Sequence, residues 1–185
     1  MHRVWLSLFH PRIRRVPIVL AAVLMMAASA HAQTSPQKAA AVGGAASSTG
    51  LAVPRYVSLR SDEVNLRTGP GVRYPVDWVL QRRHMPVEIL AEFENWRKIR
   101  DFQGTEGWVH ESMLSGRRYA VVTGAVRSLH REPNATAPAV ARLEPGVVAE
   151  ILECQKDWCR LDSDGFKGWL TRAEFWGVYP NEAVK

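Results

Sequence analysis

Trp96-Arg97-Lys98-Ile99, followed by Gly107-Trp108-Val109, returns later in the chain as Trp158-Cys159-Arg160-Leu161, followed by Gly168-Trp169-Leu170. The leading tryptophans of the two stretches are 62 positions apart and the trailing ones 61. Upstream, Val64-Asn65-Leu66-Arg67 aligns with Arg127-Ser128-Leu129-His130 at an offset of 63. Pro86-Val87-Glu88-Ile89-Leu90 aligns with the segment Gly146 to Leu152, which ends in Glu150-Ile151-Leu152. Four ordered matches at a nearly constant offset mark an internal duplication. The repeating unit is about 60 residues, a size at which a single small core is feasible but marginal.

Each copy reads as β-structure. Val87, Ile89 and Ala91 alternate with Glu88, Leu90 and Glu92, the pattern of a half-buried strand. Phe93-Glu94-Asn95-Trp96 fits a two-residue hairpin turn, with Asn95 tolerant of positive φ. Trp96 to Arg100 is then the return strand, Phe102 to Gly107 a turn region, and Gly107 to His110 a further short strand. The second copy repeats this order, with Lys156-Asp157 and Ser163-Asp164-Gly165 at its turns. Glu111 to Leu114 and Arg172 to Phe175 each have room for one helical turn. Five short strands and one helical turn per copy describe a small closed barrel. The predicted fold is all-β: two small barrels in tandem, residues 55–118 and 119–185.

What precedes the barrels is of another kind. Residues 1–15 are basic, 16–30 form a 15-residue apolar run, and Ala30-His31-Ala32 offers a small-x-small cleavage pattern. That is the layout of a secretory signal peptide over residues 1–32, and it predicts a periplasmic or secreted protein. The run is shorter than the roughly 20 residues of a spanning helix, so no stable membrane span is expected after cleavage; the alternative is an uncleaved anchor. Residues 33–54 are dominated by Ala, Gly, Ser and Thr and contain no aromatic side chain. They read as a flexible linker.

The charge balance excludes one class of partner. The 185-residue chain carries 24 Lys and Arg against 18 Asp and Glu, but four of the arginines fall in the first 32 residues. Without them the balance is 20 to 18, which is not the surface of a nucleic-acid-binding protein.

The run Val64-Asn65-Leu66-Arg67-Thr68-Gly69-Pro70-Gly71, then Trp96, then Gly107-Trp108-Val109, resembles the bacterial Src-homology-3-like (SH3b) domain family. The second copy departs from the pattern at its opening, where Leu129-His130-Arg131-Glu132-Pro133 replaces the Arg-x-Gly-Pro turn, and keeps it from Trp158 to Trp169. The resemblance implies tandem SH3-like barrels, and modules that are non-catalytic and often bind the cell wall or target an enzyme to it. Eukaryotic relatives bind proline-rich peptides through an aromatic groove. Trp96 and Trp158 match one groove tryptophan. His110 and Met113 stand where a Pro and a Tyr belong, Thr171 and Glu174 stand there in the second copy, and the acidic, Tyr-rich first loop is absent. Polyproline binding is not expected.

The remaining chemistry is sparse. Counting outward from the Lys156-Asp157 turn, Cys154 faces Cys159 as a non-hydrogen-bonded pair, close enough for a disulfide in an oxidising compartment. The equivalent pair in the first copy is Glu92 and Arg97, opposite charges suited to facing positions. A catalytic Cys159 would need a positioned base and a cleft, and only His84, His110 and His130 remain after residue 32. Neither an enzyme nor a metal or cofactor site is expected, since the Cys spacing exceeds that of a zinc knuckle and no second ligand pair follows. Trp108 and Trp169 are expected in the core, and Trp176 and Tyr179 between the barrels, which short connections hold in a fixed arrangement. The candidate ligand-binding residues are Tyr74, Trp78, Arg82, Arg83, Trp96 and His110. Aromatic faces stack on sugars or flat peptide groups, and arginines match carboxylates. Peptidoglycan or an envelope protein is the expected partner; the alternative is a periplasmic adaptor that takes a peptide in a groove or at a strand edge.

Overall fold

The computed structural model describes residues 47–185; the expected signal peptide and the first part of the expected linker lie outside the described residues. The first copy contains β1 (Arg55–Leu59), β2 (Glu63–Arg67), β3 (Val76–Gln81), β4 (Pro86–Phe93), β5 (Trp96–Arg100), β6 (Glu106–His110), a 3-10 turn at Glu111–Met113, and β7 (Leu114–Ser115). The second contains β8 (Tyr119–Val122), β9 (Arg127–His130), β10 (Ala139–Leu143), β11 (Val148–Gln155), β12 (Trp158–Ser163), β13 (Phe166–Thr171), a 3-10 turn at Arg172–Glu174, and β14 (Phe175–Trp176). Each copy is one antiparallel sheet, in the orders β3-β2-β6-β5-β4-β1-β7 and β10-β9-β13-β12-β11-β8-β14. Seven strands form where five were expected, the two-residue β7 and β14 among them.

Leu66 near one end of the first sheet and Leu114 at the other share a core with Leu59, Val87, Ile89, Ile99 and Val109, so the sheet curls round its own apolar face. Leu129, Leu143, Ile151, Leu161, Leu170 and Phe175 do the same in the second copy. Each fully buried aliphatic side chain contributes about 2 kcal/mol by leaving water.

The Gly-Trp signature has a steric cause. A Cβ on Gly107 would lie 2.5 Å from the Leu66 side chain and 3.0 Å from the Arg67 carbonyl oxygen. On Gly168 it would lie 2.6 Å from the His130 carbonyl oxygen. Only glycine lets β6 and β13 cross so close to β2 and β9. By strand alternation the following tryptophan points outward. This corrects the expected core placement for Trp108, which is half-buried on the outer face; Trp169 is buried, as expected, but on the side away from the clustered aliphatic residues. Val109 and Leu170 fill the core instead.

Alternation in the long central strand is broken by a bulge at Leu90 and, equivalently, at Leu152. One extra residue flips the parity beyond it. Val87 and Ile89 face the core, as expected, but after Leu90 it is Glu92 rather than Ala91 that turns inward. The facing residue is Arg97, as read from the hairpin register. In the second copy the same position holds Cys154 opposite Cys159, joined as a disulfide. The turns themselves differ from expectation. Glu94 and Lys156, not Asn95, adopt the left-handed conformation, each at φ 48°.

Glu92 and Arg97 are 8% and 3% exposed, so both charges require partners. Glu92 Oε1 accepts from Arg55 at 2.5 Å and lies 3.4 Å from Arg97 Nε. Arg97 also reaches Glu111 at 2.5 Å and the Glu94 carbonyl at 2.6 Å. The end of the expected linker completes the cluster: Ser47, Ser48 and the Thr49 hydroxyl and backbone N–H donate to Glu92. Burial alone would raise the Glu92 carboxyl; the bonds from Arg55, Thr49 and Ser47 outweigh it and hold it at about 2.

Aromatic side chains join the two copies. The Tyr56 ring meets Trp176 edge-on at 4.8 Å and Tyr179 at 4.6 Å, and His84 stacks on Tyr119 at 4.5 Å. The Tyr179 hydroxyl donates to Glu88 Oε1 at 2.6 Å, while Arg100 holds Oε2 of the same carboxylate at 2.5 Å. Glu88, on the outer face of β4, is thereby buried. Burial and then the Glu88 charge push the Tyr56 phenol up to about 12, and burial and then the bond to Glu88 push Tyr179 well above its ordinary value.

Two outcomes are expected. Tyr179→Phe removes one donor from a buried carboxylate and should cost about 1–2 kcal/mol in denaturant unfolding; no change would mean that Glu88 is rehydrated. Glu92, lowered from 4.5 to about 2, contributes stability that is full above 4.5 and lost as the pH falls toward 2. Denaturation midpoints at about pH 6 and about pH 3 should therefore differ less in Glu92→Gln than in the parent.

Candidate functional site

Trp96 opens β5 and His110 closes β6, and the register sets them opposite each other. Their rings meet edge to face at 5.5 Å. The Ser112 backbone N–H donates to His110 Nδ1, capping the 3-10 turn and fixing the ring. Nδ1 also lies 2.7 Å from the Ser112 hydroxyl, so Nε2 is the ring nitrogen left to meet a ligand.

The opposite wall is the loop between β2 and β3. Arg67 Nη1 donates to the carbonyls of Tyr74 at 2.8 Å and Val72 at 3.3 Å. Thr68 N–H donates to Pro75 O and Tyr74 N–H to Gly71 O. The Tyr74 ring lies against Gly69, where a Cβ would come within 2.5 Å of it, and Arg73 sits 5.1 Å above that ring. The loop is thus a stapled, aromatic-backed wall that presents Val72, which is 80% exposed. Between wall and hairpin lie two adjoining hollows of about 210 and 540 Å³ that share Val72, Trp96 and His110. Arg67 borders one, Arg73 and Phe93 the other.

The six candidate residues therefore divide. Trp96 and His110 come together, with Tyr74 behind the facing wall. Trp78 and Arg82 line a separate pocket of about 400 Å³ with Met85, Asp101 and Phe102. Arg82 also donates to the Gly146 carbonyl at 2.6 Å, and so helps to hold the second copy. Arg83 is exposed and borders neither the groove nor this pocket. Sequence reading missed Arg67, Val72, Arg73 and Phe93. The Leu-Arg-Thr-Gly-Pro-Gly run was visible, but its service as a loop staple depends on carbonyl positions.

The second copy keeps the loop and loses the groove chemistry. His130 replaces Arg67 and its Nδ1 lies 2.8 Å from the Ala137 carbonyl, the counterpart of Tyr74. Arg131 N–H donates to Pro138 O, as Thr68 does to Pro75. Tyr74, Val72 and Arg73 become Ala137, Ala135 and Thr136, and Thr171 stands in place of His110. His130 meets the Trp158 ring edge-on at 6.0 Å from the other side. Among the described residues no three His, Cys, Asp or Glu side chains are grouped to hold a metal ion, and no helix is long and apolar enough to cross a membrane.

Parts of known proteins are similar to this chain. YrvJ of Bacillus subtilis (strain 168), provisionally named an N-acetylmuramoyl-L-alanine amidase, is 20% identical over 124 residues, 61% of this chain and 24% of its own length. Two solved structures are similar at low scores. NlpC2 from Trichomonas vaginalis has a TM-score of 0.32 at 13% identity, over 68% of this chain and 49% of that one. An NlpC/P60 family protein from Bacillus cereus ATCC 10987 has a TM-score of 0.30 at 12% identity, over 70% and 58%. The chain thus spans about a quarter of the amidase relative and about half of these structures. The family described as bacterial SH3 domain matches residues 60–116 and again 124–177. These segments cover more than half of the sequence, and the chain belongs to the bacterial SH3 domain family, which it carries twice in tandem.

Proposed function

We propose that the chain is a non-catalytic cell-envelope binding module whose first SH3 unit recognises peptidoglycan or an envelope protein through the Trp96–His110 groove. Two bacterial SH3 domains and the amidase relative support a cell-wall-related binding module. The family and the disulfide point to an extracytoplasmic protein; periplasm or secretion follows from the N-terminal sequence.

The observation that carries the reading is the asymmetry between the copies. The fold needs the first loop, and both copies have it. Both copies place a tryptophan at the start of the return strand, Trp96 and Trp158; only the first adds a histidine opposite it, an exposed valine and an arginine along one groove. Peptidoglycan combines sugar rings, amides and carboxylates, and this set meets all three by stacking, hydrogen bonding and ion pairing. Both cysteines are consumed in the disulfide, so neither supplies a thiolate nucleophile.

A second reading, a peptide-binding adaptor, is favoured by β3. It is an edge strand with Val76 and Val79 exposed, a shape that accepts an added strand.

The test is co-sedimentation with sacculi stripped of protein. The parent should pellet, and Trp96→Ala should pellet about tenfold less while unfolding at the parental temperature, the loss expected of one aromatic stack. Absence of pelleting, with recovery of a protein partner by crosslinking, would leave the adaptor.

A further inference from the structure

The pocket that holds Trp78 lies at the other end of the first unit from the groove. Asp101 follows the last residue of β5, the strand that Trp96 opens, so the two are separated by about 16 Å of strand. The pocket shares no lining residue with the groove. Its walls include two aromatic residues, Trp78 and Phe102, with Asp101, Arg82, Gln81, Gln103 and Thr105 as its polar members.

Trp78 is 60% exposed although it faces Leu66 of β2, so its indole is offered to solvent rather than spent on the core. Asp101 is the reverse, a carboxylate only 9% exposed. Its Oδ1 accepts from the backbone N–H groups of Gln103, at 2.9 Å, and Thr105, at 2.8 Å. Both bonds use the same oxygen, and Oδ2 remains to accept a donor from the pocket. The two bonds also shape the loop 101–105 that brings Phe102 to the wall.

The duplication supplies an internal control. Trp78 pairs with Leu66, and the corresponding partner of Leu129 is Ala141. Asp101 corresponds to Ser163, and the second copy turns directly through Asp164 and Gly165, both at positive φ. The unit therefore folds without the tryptophan, whose presence in the first copy is not a requirement of the architecture. The second copy braces its turn with a different carboxylate, Asp162, whose Oδ1 accepts from the Gly165 N–H at 2.9 Å, so Asp101 serves its own loop through Oδ1 and only Oδ2 is left for a ligand.

We propose that this pocket binds a neutral sugar ring, stacked on Trp78 and donating a hydroxyl or amide hydrogen to Asp101. The charge pattern selects the class. A carboxylate repels an acidic ligand, and the adjacent Arg82 guanidinium repels an ammonium group. A neutral polyol meets both, since its hydroxyls donate to Asp101 and accept from Arg82, Gln103 or Thr105. Its flat C–H face suits an exposed indole. About 400 Å³ lies within the range of small-ligand pockets and accommodates a pyranose. The choice of a sugar among neutral polar ligands rests on the cell-wall reading given above.

The probe is a soluble N-acetylglucosamine tetramer, with binding to the full chain followed by ligand-observed NMR and calorimetry. The parent should bind at millimolar or lower concentrations. Trp78→Ala and Asp101→Asn should each weaken binding about tenfold, the loss of one stack or one charge-assisted bond. The asparagine keeps Oδ1 for the Gln103 and Thr105 N–H groups, so the loop survives and the change reads the ligand contact. Trp96→Ala should leave tetramer binding unchanged. The proposal is overturned if the parent shows no binding, if Trp96→Ala abolishes it while Trp78→Ala does not, or if an alkylammonium ion binds in place of the sugar. Sacculus pelleting is scored separately, so loss of the groove reading does not alter this result.

Discussion

The bulge in the long central strand is the constraint on which each unit is organised. A strand of strict alternation would bury Val87, Ile89 and Ala91 and leave Glu92 in water. The additional residue at Leu90 turns Glu92 inward and sets it against Arg97, at the rim of the core under the hairpin. The same insertion at Leu152 brings Cys154 to Cys159. Every later element takes its position from that hairpin. Trp96 begins at its turn, His110 pairs with Trp96, and the 3-10 turn after His110 hydrogen-bonds back to Asn95 through Glu111. The groove is thus referenced to the bulge.

The repeat, the β-character, the hairpin registers and the helical turns were legible in the sequence because they rest on local spacing. Trp96 with Trp158 and Gly107 with Gly168 stand at nearly equal offsets, and counting from Lys156-Asp157 was sufficient to pair the cysteines. The bulge was not legible. It inserts one residue without a glycine or proline to mark it, so alternation alone places Ala91 inward and Glu92 outward, the reverse of the fold, although the facing pair Glu92 and Arg97 can still be counted from the turn. Trp108 is misread for a related reason. A large apolar side chain beside Gly and Val reads as core, whereas the glycine is there for backbone approach and fixes its neighbour outside. Glu88 reads as a solvated strand residue, and its burial draws on a residue far away in sequence, Tyr179 of the second unit, together with Arg100 across the sheet.

The site was legible as residue types and not as places. Six candidates chosen for aromatic or cationic character fell at two ends of one unit and in the junction. The distance between Trp78 and Trp96 is set by the path of the chain between β3 and β5, which no local spacing encodes. Arg67 and His130 show what local pattern does conceal. The two side chains differ in size and chemistry, yet each reaches the carbonyl of the counterpart residue and holds the same loop.

The two solutions at the hairpin rim also differ in what completes them. The cluster around Glu92 is assembled by ionisation and by the arrival of Arg55 and the segment at Ser47–Thr49, so any near-neutral solution suffices. The link between Cys154 and Cys159 requires an electron acceptor as well as a fold. In a reducing environment the first unit is fully braced and the second is not. The two copies therefore answer to different properties of their surroundings, one to pH and the other to redox potential.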